Sequence, residues 1–339
     1  MTAADLAGDS GTAKKFRRLT IAVVAVVIVY CGAWFIAAQQ IESRLQRFFD
    51  QTRAGGFSAE CSDMDVRGFP FRIGVFCDKV RLDDTAFAAS ASFGELRSAA
   101  QVYQPGHAIL ELDGPAEVRI SPGLTVSADW SLLHASVNAG FSGVNRFSAT
   151  YDQMKATAML PLTGDRLDLA ASHGETHLRR NGPDLDVAAN VEALDVRVDD
   201  DPSLLPPTAA AVDLTLFDRA DLVEMKPVNP HFLRGSKGEL RNLTLDFGGG
   251  MVGTASGPFS IDDKGLISGE FKVTIKEIAN LRPLLVKAFP DEKSVTNINN
   301  TANMLRALND GGDEATVKID VRDGNAWLAF FPLGELPVL

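Results

Sequence analysis

The run 19–38, LTIAVVAVVIVYCGAWFIAA, constrains this chain more than any other stretch. It holds no charged residue and is long enough to cross a bilayer's hydrocarbon core as a helix, which takes about 20 residues. Leu, Ile, Val and Phe fill half of it, each favouring the membrane by roughly 0.3–0.6 kcal/mol. A helix buried in a soluble core is the other reading, and the flanks oppose it. Lys14, Lys15, Arg17 and Arg18 precede the run, whereas Glu42, Arg44 and Arg47, of mixed sign, follow it. Basic flanks stay on the cytoplasmic side, so the sequence predicts a cytoplasmic tail over 1–18 and a transmembrane anchor over 19–38. The rest of the chain then lies outside the cytoplasm. A cleaved signal peptide fits less well, because its apolar region is about 7–15 residues long and its cleavage site wants small residues. Phe35 and Ile36 stand where those would be. An uncleaved signal anchor is the expectation, with an irregular tail over the small, polar residues 1–13.

Beyond the anchor, Ile41, Leu45, Phe48 and Phe49 fall at i, i+4, i+7 and i+8 with charges between them. That stripe predicts an amphipathic juxtamembrane helix over 39–56, continuing the membrane helix and ended by Gly55-Gly56. From Phe57 the period changes to two. Val317, Ile319 and Val321 alternate with Lys318, Asp320 and Arg322, and Leu243, Leu245 and Phe247 repeat the habit. So do Leu167 with Leu169, and the series Leu185, Val187, Ala189, Val191. Short alternating runs between turn residues are antiparallel strands with one wet face. Expected turns include Gly106, Asp113-Gly114-Pro115, Ser121-Pro122-Gly123, Asn181-Gly182-Pro183 and Asp323-Gly324. The fold class is therefore mainly β: an N-terminal transmembrane helix, then a large, curled antiparallel sheet over 57–339 with a few short helices. Two helices are expected, over 277–289 (with Pro283 near its start) and over 300–308. The Pro-rich stretch 202–208 reads as a loop and a join between two similar halves. A weak likeness between GPAEVRISPGLTVSADW from Gly114 and GPFSIDDKGLISGEF from Gly257 prompts that division.

A net charge of −11 excludes a nucleic-acid partner, which wants a basic face, and broad adhesion to anionic lipid. Catalytic and cofactor patterns are weak. His173, Glu175 and His177 share a strand face in a spacing zinc can use, but no fourth ligand lies near. Gly248, Gly250 and Gly253 spell a dinucleotide fingerprint, yet strand-like sequence follows where a helix must begin. Gly140-Phe141-Ser142-Gly143 lacks the spacing of a nucleophile elbow, and the Asp199–Asp201 run before Pro202 reads as a solvated turn. No catalytic residue, cofactor or metal is expected.

Of three cysteines, Cys31 lies in the anchor, and Cys61 and Cys77 lie outside. If Gly68-Phe69-Pro70 is a turn, these two face each other across a hairpin at a separation a disulfide tolerates. One detail resists: pairing 61 with 77 puts Asp63 and Asp65 on the face of Ile73 and Val75, and Met64 and Val66 on the other. A β-bulge near Ser62 or Gly68 removes the conflict. Two reduced, buried cysteines are the alternative.

The anchor, the VRGFPFRI segment over 66–73, Gly114-Pro115 and the closing PLGELP over 332–337 together resemble the family called domain of unknown function 2125. The resemblance covers nearly the whole chain after residue 15. It implies a membrane-anchored protein of a Gram-negative envelope, here single-pass in the inner membrane with most of the chain periplasmic. The family has no assigned activity, so it supplies no functional residue. Its style is similar to AsmA-like envelope proteins, whose anchored sheets hold lipid in grooves. The expected function is binding of a lipid or envelope component without chemistry, with the bilayer itself, lipid and envelope proteins as expected partners. A packed scaffold protein is the first rival and a hydrolase the second. Leu243, Leu245, Phe247, Val317, Ile319 and Val321 should line the groove, or, for a scaffold, a closed core.

Overall fold

The computed structural model describes residues 10–54 (side chains 14–51), 56–85, 88–120, 123–140, 143–160, 164–199, 205–224, 231–308 and 312–339. Gly55, Ser121-Pro122, Phe141-Ser142, Asp200-Asp201 and 202–204, each part of an expected turn, elbow or join, lie outside these residues.

A single helix, α1 (Ser10–Ala54), carries the N-terminal region through the apolar run and the juxtamembrane stretch without a break. Over 10–13 its start corrects the expected irregular tail, Ser-Gly-Thr-Ala forming the first turn of the helix that the following residues propagate, while 1–9 lie outside the described residues. Lys14–Gln51 is long and apolar enough to cross a membrane, with mean hydropathy 2.6 and only 11% of its most apolar window buried. By length and composition it fits a single-pass anchor. Its outer part lies along the first strand, where Gln46, Phe49 and Asp50 share a cleft with Ala59, Glu60, Cys61 and Ser62. Ile41, Leu45 and Phe49 are half-buried, while Phe48 turns outward.

Twenty strands among the described residues form one antiparallel sheet, each line paired to the next in chain order. The first line and the last have one neighbour each, so the sheet is open. Its ladder runs directly from Asp184–Val198 to Thr208–Phe217, with Val191 opposite Ala210, so no boundary in the sheet accompanies 202–208. Two expected turns are corrected. Gly106 lies within the strand Gln104–Leu112, where a side chain would meet the Ala139 carbonyl 2.3 Å away. Asp113-Gly114-Pro115 interrupts a line rather than reversing it. By contrast, Asp323-Gly324 closes a two-residue hairpin with φ of 47° and 79°, as such turns require.

The first five lines are each broken once, at 63–64, 78, 94–95, 113–115 and 130–131. The ladders place these breaks opposite one another. They continue into Gln153 (φ 52°), Ser172 and Ala193 (φ 49°) of the next three lines. A single crease thus crosses eight lines, and at it the alternation changes phase. Phe147, Ala149 and Tyr151 are odd on one side of Gln153, whereas Ala156 and Ala158 are even on the other. Val187 and Val191 give way likewise to Leu194, Val196 and Val198. Apolar residues therefore keep to one side of the sheet. Arg97 braces the crease, bonding Glu95, Glu111 and both oxygens of Asp113 at 2.7–3.0 Å. Those carboxylates, Asp113 foremost, hold its guanidinium pKa above the usual value.

Among the described residues, two α-helices cover the apolar side near the C-terminus. α2 (Ile278–Ala288) and α3 (Glu292–Leu308) pack Ile278, Ala302 and Leu305 on Ala315 and Leu328. Asp313 receives the first amides of α2, tying the ends of the helical insert together. α3 starts eight residues before its expected start, because Asp291 accepts the Ser294 amide at 2.9 Å and caps a stretch of Ser, Thr and Asn that propensity alone disfavours. A 3-10 turn, Ala220–Glu224, covers a second small core of Leu185, Leu216 and Val223.

Candidate functional site

The register assigns every residue of the sheet to one of two faces. One is polar: Lys155, Thr157, Arg166, Asp168, Asp195 and Arg197 line one open cavity on it. Glu60, Lys79, Arg81, Asp83, Glu117 and Arg119 line another. The opposite face is mostly apolar, with Ser98, Thr176 and Arg180 among its polar residues. Through the first lines it carries Ile73, Val75, Leu96, Leu110, Leu133, Val137 and Phe147. Val187, Val212, Leu214, Leu243, Leu245 and Val273 continue it. None of these is buried and none is fully exposed. Between two packed sheets an inner face would be lost from solvent. Most of this face is instead uncovered.

The six residues singled out from the sequence divide along it. Leu243 and Leu245, in Lys237–Asp246, are half-exposed on the uncovered part. Phe247 follows that strand by one residue, its amide bonded to the Met251 carbonyl. Ile319 is also half-exposed, within Glu314–Arg322. Val317 lies against the core under α2 and α3, and Val321 is 5% exposed. These helices line an open apolar pocket of about 240 Å³, with Ile275, Leu281, Leu285, Ile298 and Leu333 on its walls.

Cys61 and Cys77 form a disulfide with Cα atoms 5.2 Å apart. The cysteines are not opposed in the ladder. Cys61 faces Val80, and Asp65 faces Phe76. In an unbroken ladder of that register the two sulfurs would point to opposite faces. The phase change at Asp63 (φ 49°), next to Ser62, brings them to one side, and Val66 comes opposite Val75. The bridge spans the crease.

The polar side chains form ion-paired chains on the hydrated face. His173 Nδ1 lies 2.6 Å from Asp152, and Glu175 sits between His173 and His177 at 3.3 Å from each. Asp152 first, then Glu175, raises the His173 pKa. No group of three His, Cys, Asp or Glu among the described residues could hold a metal ion. Gly248, Gly250 and Gly253 belong to a hairpin turn and the strand after it. Asp186, nearly buried, bonds Arg179 at 2.7 Å, Thr215 at 2.9 Å and Arg241 at 3.3 Å. Arg179 foremost holds its carboxyl below the usual range. A carboxyl so depressed stabilises the fold above its unfolded pKa, about 3.9, and that benefit fades as pH falls through the folded value. Asp186→Asn is therefore expected to cost about 1.5–3 kcal/mol at neutral pH, shrinking toward zero in acid. Paired melts across pH check this; a deficit that does not depend on pH would refute the charge as its cause.

A third feature joins the sheet to α1. The tip of the first hairpin, Gly68–Phe71, rests on the helix inside the apolar run. The Tyr30 hydroxyl donates to the Pro70 carbonyl, and Trp34 Nε1 donates to the Arg72 carbonyl at 2.9 Å. Phe69 packs on Trp34 and Phe35, with centroids 5.4 and 5.6 Å away. Sequence reasoning missed this contact. Its signal was present in the three aromatics grouped at the C-terminal end of an otherwise aliphatic run.

An open, one-sided β-sheet held edge-on to a long apolar helix defines the class. The chain belongs to the bacterial family described as "Uncharacterized protein conserved in bacteria (DUF2125)", whose model matches residues 34–337. No curated protein and no solved structure matches it.

Proposed function

We propose that this protein is a single-pass inner-membrane protein whose periplasmic sheet binds lipid acyl chains on its apolar face. One observation carries the reading. The apolar face continues across the sheet, opposite a charged one, and neither a second sheet nor a helix covers most of it. Monomeric soluble proteins rarely leave so much contiguous apolar surface in water, and such a surface normally has an occupant. A sheet whose edge lies along a membrane helix has acyl chains as the nearest apolar occupant. Binding without chemistry is the role proposed. The basic cluster 14–18 supports a cytoplasmic N-terminus. The test is mass spectrometry of the intact protein released from detergent. Phospholipid retained in stoichiometric amount is expected, and a protein free of lipid would leave the scaffold reading in its place.

A further inference from the structure

The tip of the first hairpin meets α1 at a position that bears on where the sheet stands. At 1.5 Å per residue, Tyr30 lies about 12 Å, and Trp34 about 6 Å, inside the outer end of the run 19–38. Backbone at that depth must have its polar groups satisfied by the protein. Around this tip four carbonyls have partners. The Pro70 and Arg72 carbonyls accept from Tyr30 and Trp34. The Gly68 carbonyl accepts from the Arg72 amide at 2.9 Å, and the Phe71 carbonyl from the Val102 amide at 3.1 Å. Pro70 brings no amide hydrogen. Exposed rings cluster at the same place: Phe69, packed on Trp34 and Phe35, is still 46% exposed, Phe71 is 68% and Tyr103, at the neighbouring hairpin tip, 76%. Aromatic rings of this kind concentrate at membrane interfaces. The exposed Arg67 and Arg72 stand behind them, where long cationic side chains reach back to headgroups.

We infer that Phe71 and Tyr103 insert into the interface of the bilayer leaflet facing the domain. This inference rests on the anchor reading of Proposed function. Because Phe57–Arg67 runs back along α1 from Phe49 toward Trp34, the strands stand along the membrane normal and one rim of the sheet meets the lipid. Acyl chains then have a path from bilayer to apolar face that avoids water.

The test uses the full chain with Cys31→Ser and the Cys61–Cys77 bridge intact. Single cysteines are introduced as Phe71→Cys, Tyr103→Cys, Val27→Cys (in the anchor) or Lys155→Cys (on the polar face). Each is labelled with an environment-sensitive fluorophore and reconstituted into phosphatidylethanolamine–phosphatidylglycerol vesicles carrying nitroxide-labelled lipid. Labels at 71 and 103 should lose most of their emission, as should 27, while 155 keeps its own. If either 71 or 103 behaves like 155 while 27 is quenched, the insertion is overturned and the anchor stands. An unquenched label at 27 would overturn the anchor reading, and the insertion with it.

Discussion

Aspartate at Leu245 should leave the protein folded but empty of lipid, whereas aspartate at Val321 should unfold its C-terminal end. The two residues share a face of the same sheet and were indistinguishable by alternation. Their surroundings differ. Val321 is 5% exposed, between Gly269 and Ala326 in the ladder, so a carboxylate there has neither water nor a partner. Burying an unpaired charge costs several kcal/mol, a large part of the roughly 5–15 kcal/mol that holds a domain together. Leu245 is half-exposed and belongs to neither packed cluster. A charge there stays hydrated at little cost to the fold, yet it interrupts the surface offered to an acyl chain. Thermal unfolding and retained lipid should be measured on the same samples. Equal collapse of both variants would mean that the face around Leu245 is a closed core.

Loss of the disulfide has the second large effect. The cysteines are 16 residues apart, and a closed loop of that size corresponds to roughly 3 kcal/mol of chain entropy in the simple model. The bridge also spans the place where the first two lines lose their ladder, at Asp63, Met64 and Asp78. Replacing both cysteines by serine is therefore expected to lower the melting temperature by several degrees and leave the fold recognisable. Thiol labelling of denatured, unreduced protein taken from cells tests the compartment too, because such bridges persist in oxidising surroundings. Modification at both positions would remove the bridge and the periplasmic assignment together.

Much of the fold was legible because period-two alternation depends only on which face is wet. The strands around Leu243, Leu185 and Val317 followed from it, while the Asp323-Gly324 hairpin followed from its turn residues and the disulfide from the spacing of two cysteines about a hairpin. The crease was not read, although it left a trace. Asp63 and Asp65 fell on the wrong face in a regular hairpin, and a bulge near Ser62 or Gly68 was the remedy the sequence required; the slip is at Asp63. Seeing that the same slip recurs at Gln153 and Ala193 needs the register, since a phase change within one strand looks like noise. The split between Val321 and Leu245 was also out of reach. It depends on which neighbours the ladder brings beside each strand, a long-range property that alternation along one strand does not carry. The contact of Trp34 with the Arg72 carbonyl joins residues 38 apart, and no local pattern encodes it.

The crease has a bearing on how so repetitive a chain finds its pairing. In a meander of plainly alternating strands, sliding one strand by two residues returns every side chain to its proper face, so the correct alignment is barely preferred. A phase change in the middle of each strand removes that degeneracy. Slide the line Gly143–Met159 by two against Arg166–Asn181, and Gln153 no longer meets Ser172. The residues between the two displaced breaks would then present the wrong face, polar where the neighbour is apolar. Each line thus carries an index mark that its neighbours must match, and eight such marks aligned across the sheet count residues as a vernier does.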